Sequence, residues 1–119
     1  MKLLIVDDSE IIREAIGEWI SELDIEIVGQ AGDGKKAIEL VKSLKPDIVT
    51  LDITMPEIDG LTAMDEILKI YPETKVIIIS ALSAKEIALS ALKKGAVSYV
   101  VKPFTKDELI EVIKEVKEG

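Results

Sequence analysis

Pro46-Asp47-Ile48-Val49-Thr50-Leu51-Asp52 (residues 46–52) is a proline break, a short run of mostly branched apolar side chains, and a carboxylate at its end. A run this short and this apolar predicts a strand buried on both faces, as in a parallel sheet covered by helices. Four more such runs fall at residues 3–6, 25–28, 76–79 and 97–101. The segments between them carry helical spacing. Ile12, Ile16, Trp19, Ile20 and Leu23 share a face, followed by Ala37, Ile38, Val41 and Leu44, then by Leu61, Met64, Ile67 and Leu68. Ile87, Leu89 and Leu92 mark a fourth helix, and Leu109, Ile110, Val112, Ile113 and Val116 a fifth.

The punctuation agrees. Ser9 and Thr105 stand where N-caps belong, and Glu108 three residues after Thr105 makes a capping box. Gly95 follows Lys93 and Lys94 as a helix C-terminal glycine does. Pro46 and Pro72 fall in helix-to-strand connections. A strict (βα)5 alternation implies an α/β domain: one doubly wound parallel five-stranded sheet, helices on both faces, right-handed crossovers. Residues 1–119 read as a single domain without linker or repeat.

Composition removes whole classes of function. With no cysteine and no histidine, disulfides, thiolate nucleophiles, zinc clusters and imidazole bases are all excluded. A net charge of −8 argues against nucleic acid as a direct ligand. No run is long and apolar enough for a membrane span and no leader precedes the first strand, so a cytoplasmic chain is expected. Asparagine is absent, glutamine occurs once, and isoleucine, valine, lysine and glutamate are heavily used, as in a thermophile.

The polar residues at strand ends carry the chemistry. Asp7 and Asp8 follow the first strand, Asp52 the third, Ser80 the fourth and Lys102 the fifth. All lie at carboxyl ends, where open α/β sheets bind ligands, and in the common 2-1-3-4-5 order the first and third strands are neighbours. Neighbouring strands are about 4.8 Å apart, so three carboxylates converge on one small volume. Oxygen donors without histidine or cysteine suit a hard cation, and Mg2+ fits best. Without metal, such a cluster is expected to be electrostatically strained, with at least one carboxylate pKa raised. On that view Asp7→Ala or Asp52→Asn raises metal-free stability. A lysine and a hydroxyl beside the acids complete a pocket for a small oxyanion, a phosphoryl group on a carboxylate being the natural candidate.

Leu4-Ile5-Val6-Asp7-Asp8-Ser9 resembles the acidic pair of response-regulator receiver domains. The segment from Pro46 to Pro56, closed by Asp59-Gly60, resembles their phospho-acceptor region. Ser80-Ala81 resembles the switch hydroxyl, and Tyr99-Val100-Val101-Lys102-Pro103-Phe104 the lysine segment. The match covers essentially the whole chain and is most like the family's single-domain chemotaxis regulators. The resemblance implies a flavodoxin-like sheet of order 2-1-3-4-5 and a phosphorylation-activated switch. In that scheme Asp52 accepts a phosphoryl group from a phosphohistidine on a sensor histidine kinase of the CheA type. Asp8, Asp52 and the Thr54 carbonyl ligate Mg2+, with Asp7 acting mainly through water. Lys102, before a cis Lys–Pro bond, and Ser80 meet the phosphoryl oxygens. Tyr99 changes rotamer as Ser80 is drawn in, remodelling the face of helix 4, strand 5 and helix 5. A target protein such as a flagellar motor switch component or an adaptor reads that face. A monomer that turns over no separate substrate is expected. Ser80 stands where many receivers have threonine.

Other readings are weaker. Trp19 reads as core, Tyr99 alone as half-buried packing, and Glu10, Glu14, Glu18 and Glu22 as solvated surface. Gly32-Asp33-Gly34-Lys35 lacks the full phosphate-loop spacing and reads as a turn. An aspartyl-phosphate phosphatase resembling the haloacid dehalogenase family needs Asp-x-Asp on the first strand and a cap segment. FMN binding needs a hydroxyl-rich loop there; neither feature is present. A receiver module from a larger regulator is the runner-up, with the final helix leaving no linker at residue 119.

Overall fold

A computed structural model describes residues 1–119. In chain order the elements are β1 (Lys2–Val6), α1 (Glu10–Ile20), β2 (Glu26–Ala31), α2 (Gly34–Leu44), β3 (Ile48–Leu51), α3 (Gly60–Ile70), β4 (Lys75–Ser80), α4 (Lys85–Lys93), β5 (Ser98–Val101) and α5 (Lys106–Glu118). All strand pairs are parallel and the sheet order is β2-β1-β3-β4-β5. The expected doubly wound sheet is therefore present.

Strand periodicity divides the core into two layers. Leu4, Val6, Val49, Leu51, Val76 and Ile78 face α2 and α3 with Val41, Met64 and Ile67. Leu3, Ile5, Ile48, Ile77 and Ile79 face α1 and α5 with Ile16, Ile20, Leu109 and Ile113. Every residue of β3 is buried, which is why its sequence shows no polar alternation.

The helix ends follow the predicted chemistry, with one difference. Ser9 Oγ accepts the Ile12 amide, and Asp33 and Asp59 cap α2 and α3 in the same way. At α5 the Glu108 amide donates to Thr105 Oγ1, but the Thr105 hydroxyl, rather than its backbone amide, meets the Glu108 carboxylate. α4 ends in a Schellman motif: Gly95 sits at φ 121° while the Ala96 and Gly95 amides return to Ala91 and Leu92.

Two expectations are corrected. β2 spans Glu26–Ala31 rather than 25–28, because Gly29 and Gln30 pair with Leu4 and Ile5 across a register shift. Backbone pairing at a sheet edge does not need the apolar signature that marks buried strands. In α4 the face against the sheet is Ile87 and Ala91, whereas Leu89 and Leu92 are 47% and 43% exposed.

Candidate functional site

Parallel register brings the acids together. Val6 pairs with Leu51, so Asp7 and Asp52 leave adjacent strands at the same level, and the Asp52 amide donates to Val6 O. Carboxylate oxygens of Asp7, Asp8 and Asp52 lie within 4.8 Å of one another. Asp7 and Asp52 are buried while Asp8 is exposed. Gly60 closes the floor: a Cβ there would stand 2.0 Å from Asp52 O, so no side chain fits.

Lys102 enters from the end of β5, its amide donating to Ser80 O and its bond to Pro103 cis. Its ammonium lies 2.7 Å from Asp7 Oδ2 and 3.4 Å from Asp52 Oδ2. Asp52 Oδ1 accepts the Thr54 amide at 3.3 Å. Asp7 Oδ1 accepts the Ser9 amide at 2.9 Å, so this residue shapes the turn into α1 as well as the site.

Burial is the main cause that raises the Asp52 pKa above the ordinary carboxylate value; Asp7 adds to it, while Lys102 and the Thr54 amide oppose it. For Lys102, burial pulls the pKa down, but the hydrogen bond and charge of Asp7, with Asp52, outweigh it and the net shift is upward. Crowding of like charge is thus not the leading effect, because an ammonium already stands among the carboxylates.

Ser80, fully buried at the end of β4, makes no hydrogen bond with Asp52; its Oγ accepts the Leu82 amide at 3.1 Å. Tyr99 is half-buried and its hydroxyl donates to Leu82 O at 2.6 Å. The two hydroxyls therefore hold both backbone polar groups of Leu82 in the β4–α4 loop. Trp19 packs edge-on against Phe104, ring centroids 5.8 Å apart, which ties α1 to the segment after Lys102. The sequence reading missed Arg13, whose Nη1 donates to Asp7 O at 2.7 Å.

All-oxygen donors around an exposed carboxylate fit a hard divalent cation that keeps part of its water. Asp7, Asp8 and Asp52 are the carboxylates placed to hold it, and the Asp8 carboxylate makes no hydrogen bond of its own.

These features define a class. The response regulator receiver domain model matches residues 3–114, and the chain belongs to that family. It is homologous to the chemotaxis protein CheY, whose strand order it shares. It is 42% identical to "Chemotaxis protein CheY" of Thermotoga maritima over 115 residues, covering 97% of this chain and 96% of that one. It is 44% identical to the Listeria monocytogenes CheY over 115 residues, with 97% of each covered. The CheY chain in a CheX-CheY-BeF3-Mg2+ complex from Borrelia burgdorferi superposes with a TM-score of 0.94 at 34% identity, covering 98% of this chain and 88% of that one.

Proposed function

We propose that this receiver domain is a phosphorylation-activated response regulator of chemotaxis signalling, with Asp52 as the phospho-acceptor. The observation that carries the reading is a buried Asp52 at the end of the central strand, with Lys102 at 3.4 Å and two further carboxylates beside it. Asp52 Oδ2 attacks the phosphorus of a kinase phosphohistidine. The P–N bond breaks as the P–O bond forms, and the departing imidazole takes a proton from solvent. Asp8, Asp52 and the Thr54 carbonyl would hold Mg2+, with Asp7 acting through water, and the bound ion would supply charge to offset that on the transferring oxygens. Lys102 pairs with a phosphoryl oxygen after easing away from Asp7. Ser80 turns its hydroxyl proton toward another, and Tyr99 follows as the Leu82 segment shifts.

The output lies in the exposed apolar residues Leu82, Leu89, Leu92, Val97 and Val101, which gather on α4, β5 and their loops. That face is the docking site for a flagellar motor switch component or an adaptor, and the phosphoryl donor is a cytoplasmic kinase of the CheA type. The domain, residues 1–119, acts as a monomer, and its only chemistry is on its own aspartate. No helix is long and apolar enough to cross a membrane. The test is transfer of radiolabelled phosphate from a purified kinase phosphohistidine domain. Wild type takes up the label and Asp52→Asn does not; equal labelling of both contradicts the assignment.

A further inference from the structure

Arg13 is the only arginine in the chain and Gln30 the only glutamine; the other fourteen basic residues are lysines. The fold puts these two together. Arg13 Nε donates to Gln30 Oε1 at 3.3 Å and its Nη1 to Asp7 O at 2.7 Å. The guanidinium lies over Gly32, where a Cβ would stand 3.3 Å from Nη1. No carboxylate of the 23 acidic residues comes within ion-pair distance of Arg13. An arginine in so acidic a chain is thus turned onto two neutral oxygens, one just past the end of β1 and one on β2. A planar fork reaches both, and a lysine's single ammonium does not.

We propose that Arg13 is a positioning residue for the acidic site, fixing the Asp7–Asp8 turn. The Asp7 carbonyl and the Asp8 amide share one planar peptide, so clamping that oxygen sets the plane from which Asp8 departs. Every other polar group of Asp7 is already fixed: its amide to Ala31 O, Oδ1 to the Ser9 amide, Oδ2 to Lys102. The carbonyl is the remaining polar group of Asp7, and Arg13 fixes it. Gln30, on the neighbouring β2, holds the guanidinium in place. Asp8 itself is exposed and makes no hydrogen bond that would orient it otherwise.

The proposal rests on the acid cluster as a divalent cation site, and its test has a sign that simple electrostatics does not share. Deleting a positive charge beside an anionic metal site tightens Mg2+ by Coulomb's law alone. Loss of positioning weakens it, by about tenfold for a residue that orients metal ligands. Calorimetric Mg2+ titration of Arg13→Ala should therefore show a weaker Kd than wild type. Arg13→Lys, which keeps the charge without the fork, should lie between them. Amide exchange in metal-free protein supplies the independent readout: the Ser9 amide, bonded to Asp7 Oδ1, should exchange faster in Arg13→Ala and partly recover in Arg13→Lys. An unchanged or tighter Mg2+ Kd, or Ser9 protection equal to wild type, overturns the proposal. If wild type binds no Mg2+, the cation site fails, and Ser9 exchange still decides the role of Arg13. Should Arg13→Ala not fold, Arg13→Lys carries both readouts with the same expected directions.

Discussion

The Lys102 ammonium stands 2.7 Å from Asp7 Oδ2, and this contact changes the electrostatic account of the site. Three crowded carboxylates predict a pocket relieved by losing any one of them. With the lysine among them, Asp7 is one half of a largely buried ion pair, and burial disfavours the ionised form of Asp52.

The two acids should therefore respond in opposite directions. Asp7→Ala leaves Lys102 without its nearer partner and should cost about 2 kcal/mol, a reduced form of a broken buried pair because Asp52 remains. Asp52→Asn removes a poorly solvated charge and should raise the metal-free melting temperature by a few degrees. Urea and thermal melts in EDTA check both; stabilisation by both substitutions would restore the simple crowding picture.

The pH dependence follows from the sign of the Asp52 shift. Its folded pKa lies above the unfolded 3.8, so the native state holds this proton more readily. The resulting stability is complete below the unfolded value and is lost as pH rises through the folded one. In EDTA, urea melts from about pH 4 to about pH 7 should show this loss in wild type, and Asp52→Asn should lack this component. Lys102, raised above 10.5, contributes in the opposite, alkaline window: its stabilisation persists until pH climbs through the raised value.

Metal should reverse the penalty at neutral pH. A cation that binds only the folded site stabilises by about 2.7 kcal/mol at a hundredfold excess over its Kd. Adding Mg2+ should raise the wild-type melting temperature and leave that of Asp8→Ala nearly unchanged.

Leu82 is held through its amide by Ser80 and through its carbonyl by Tyr99, so movement of either hydroxyl acts on the backbone of one residue. Ser80→Ala and Lys102→Arg should still accept phosphate yet bind the target more weakly than phosphorylated wild type. Affinity measured by calorimetry on phosphorylated samples checks this; unchanged affinity in both places the signal elsewhere.

Much of this was legible because the deciding residues sit on the most regular elements. β3 is buried on both faces, so its apolar run and terminal aspartate are unambiguous. Asp7 and Asp52 follow β1 and β3, neighbouring strands whose order fixes their meeting. The edge of the sheet was less legible: Gly29 and Gln30 are in β2 through pairing with β1, which no local pattern announces. In α4, a leucine facing solvent has the same spacing as one facing the core, so spacing alone does not tell that Leu89 and Leu92 point outward. The Lys102–Asp7 pair and the Arg13 clamp depend on side-chain reach across 95 and 6 residues, respectively, and sequence spacing carries no distance for either. The one hint was compositional: a single arginine among lysines.

The most direct measurement of the central claim needs no partner protein. Acetyl phosphate with Mg2+ offers Asp52 a phosphoryl group, acetate leaving as the new P–O bond forms. Intact mass spectrometry of wild type should show one added phosphoryl mass that disappears when EDTA replaces Mg2+. Asp52→Asn should show none. A wild-type protein that stays unmodified, or an Asp52→Asn protein labelled to the same extent, contradicts the account.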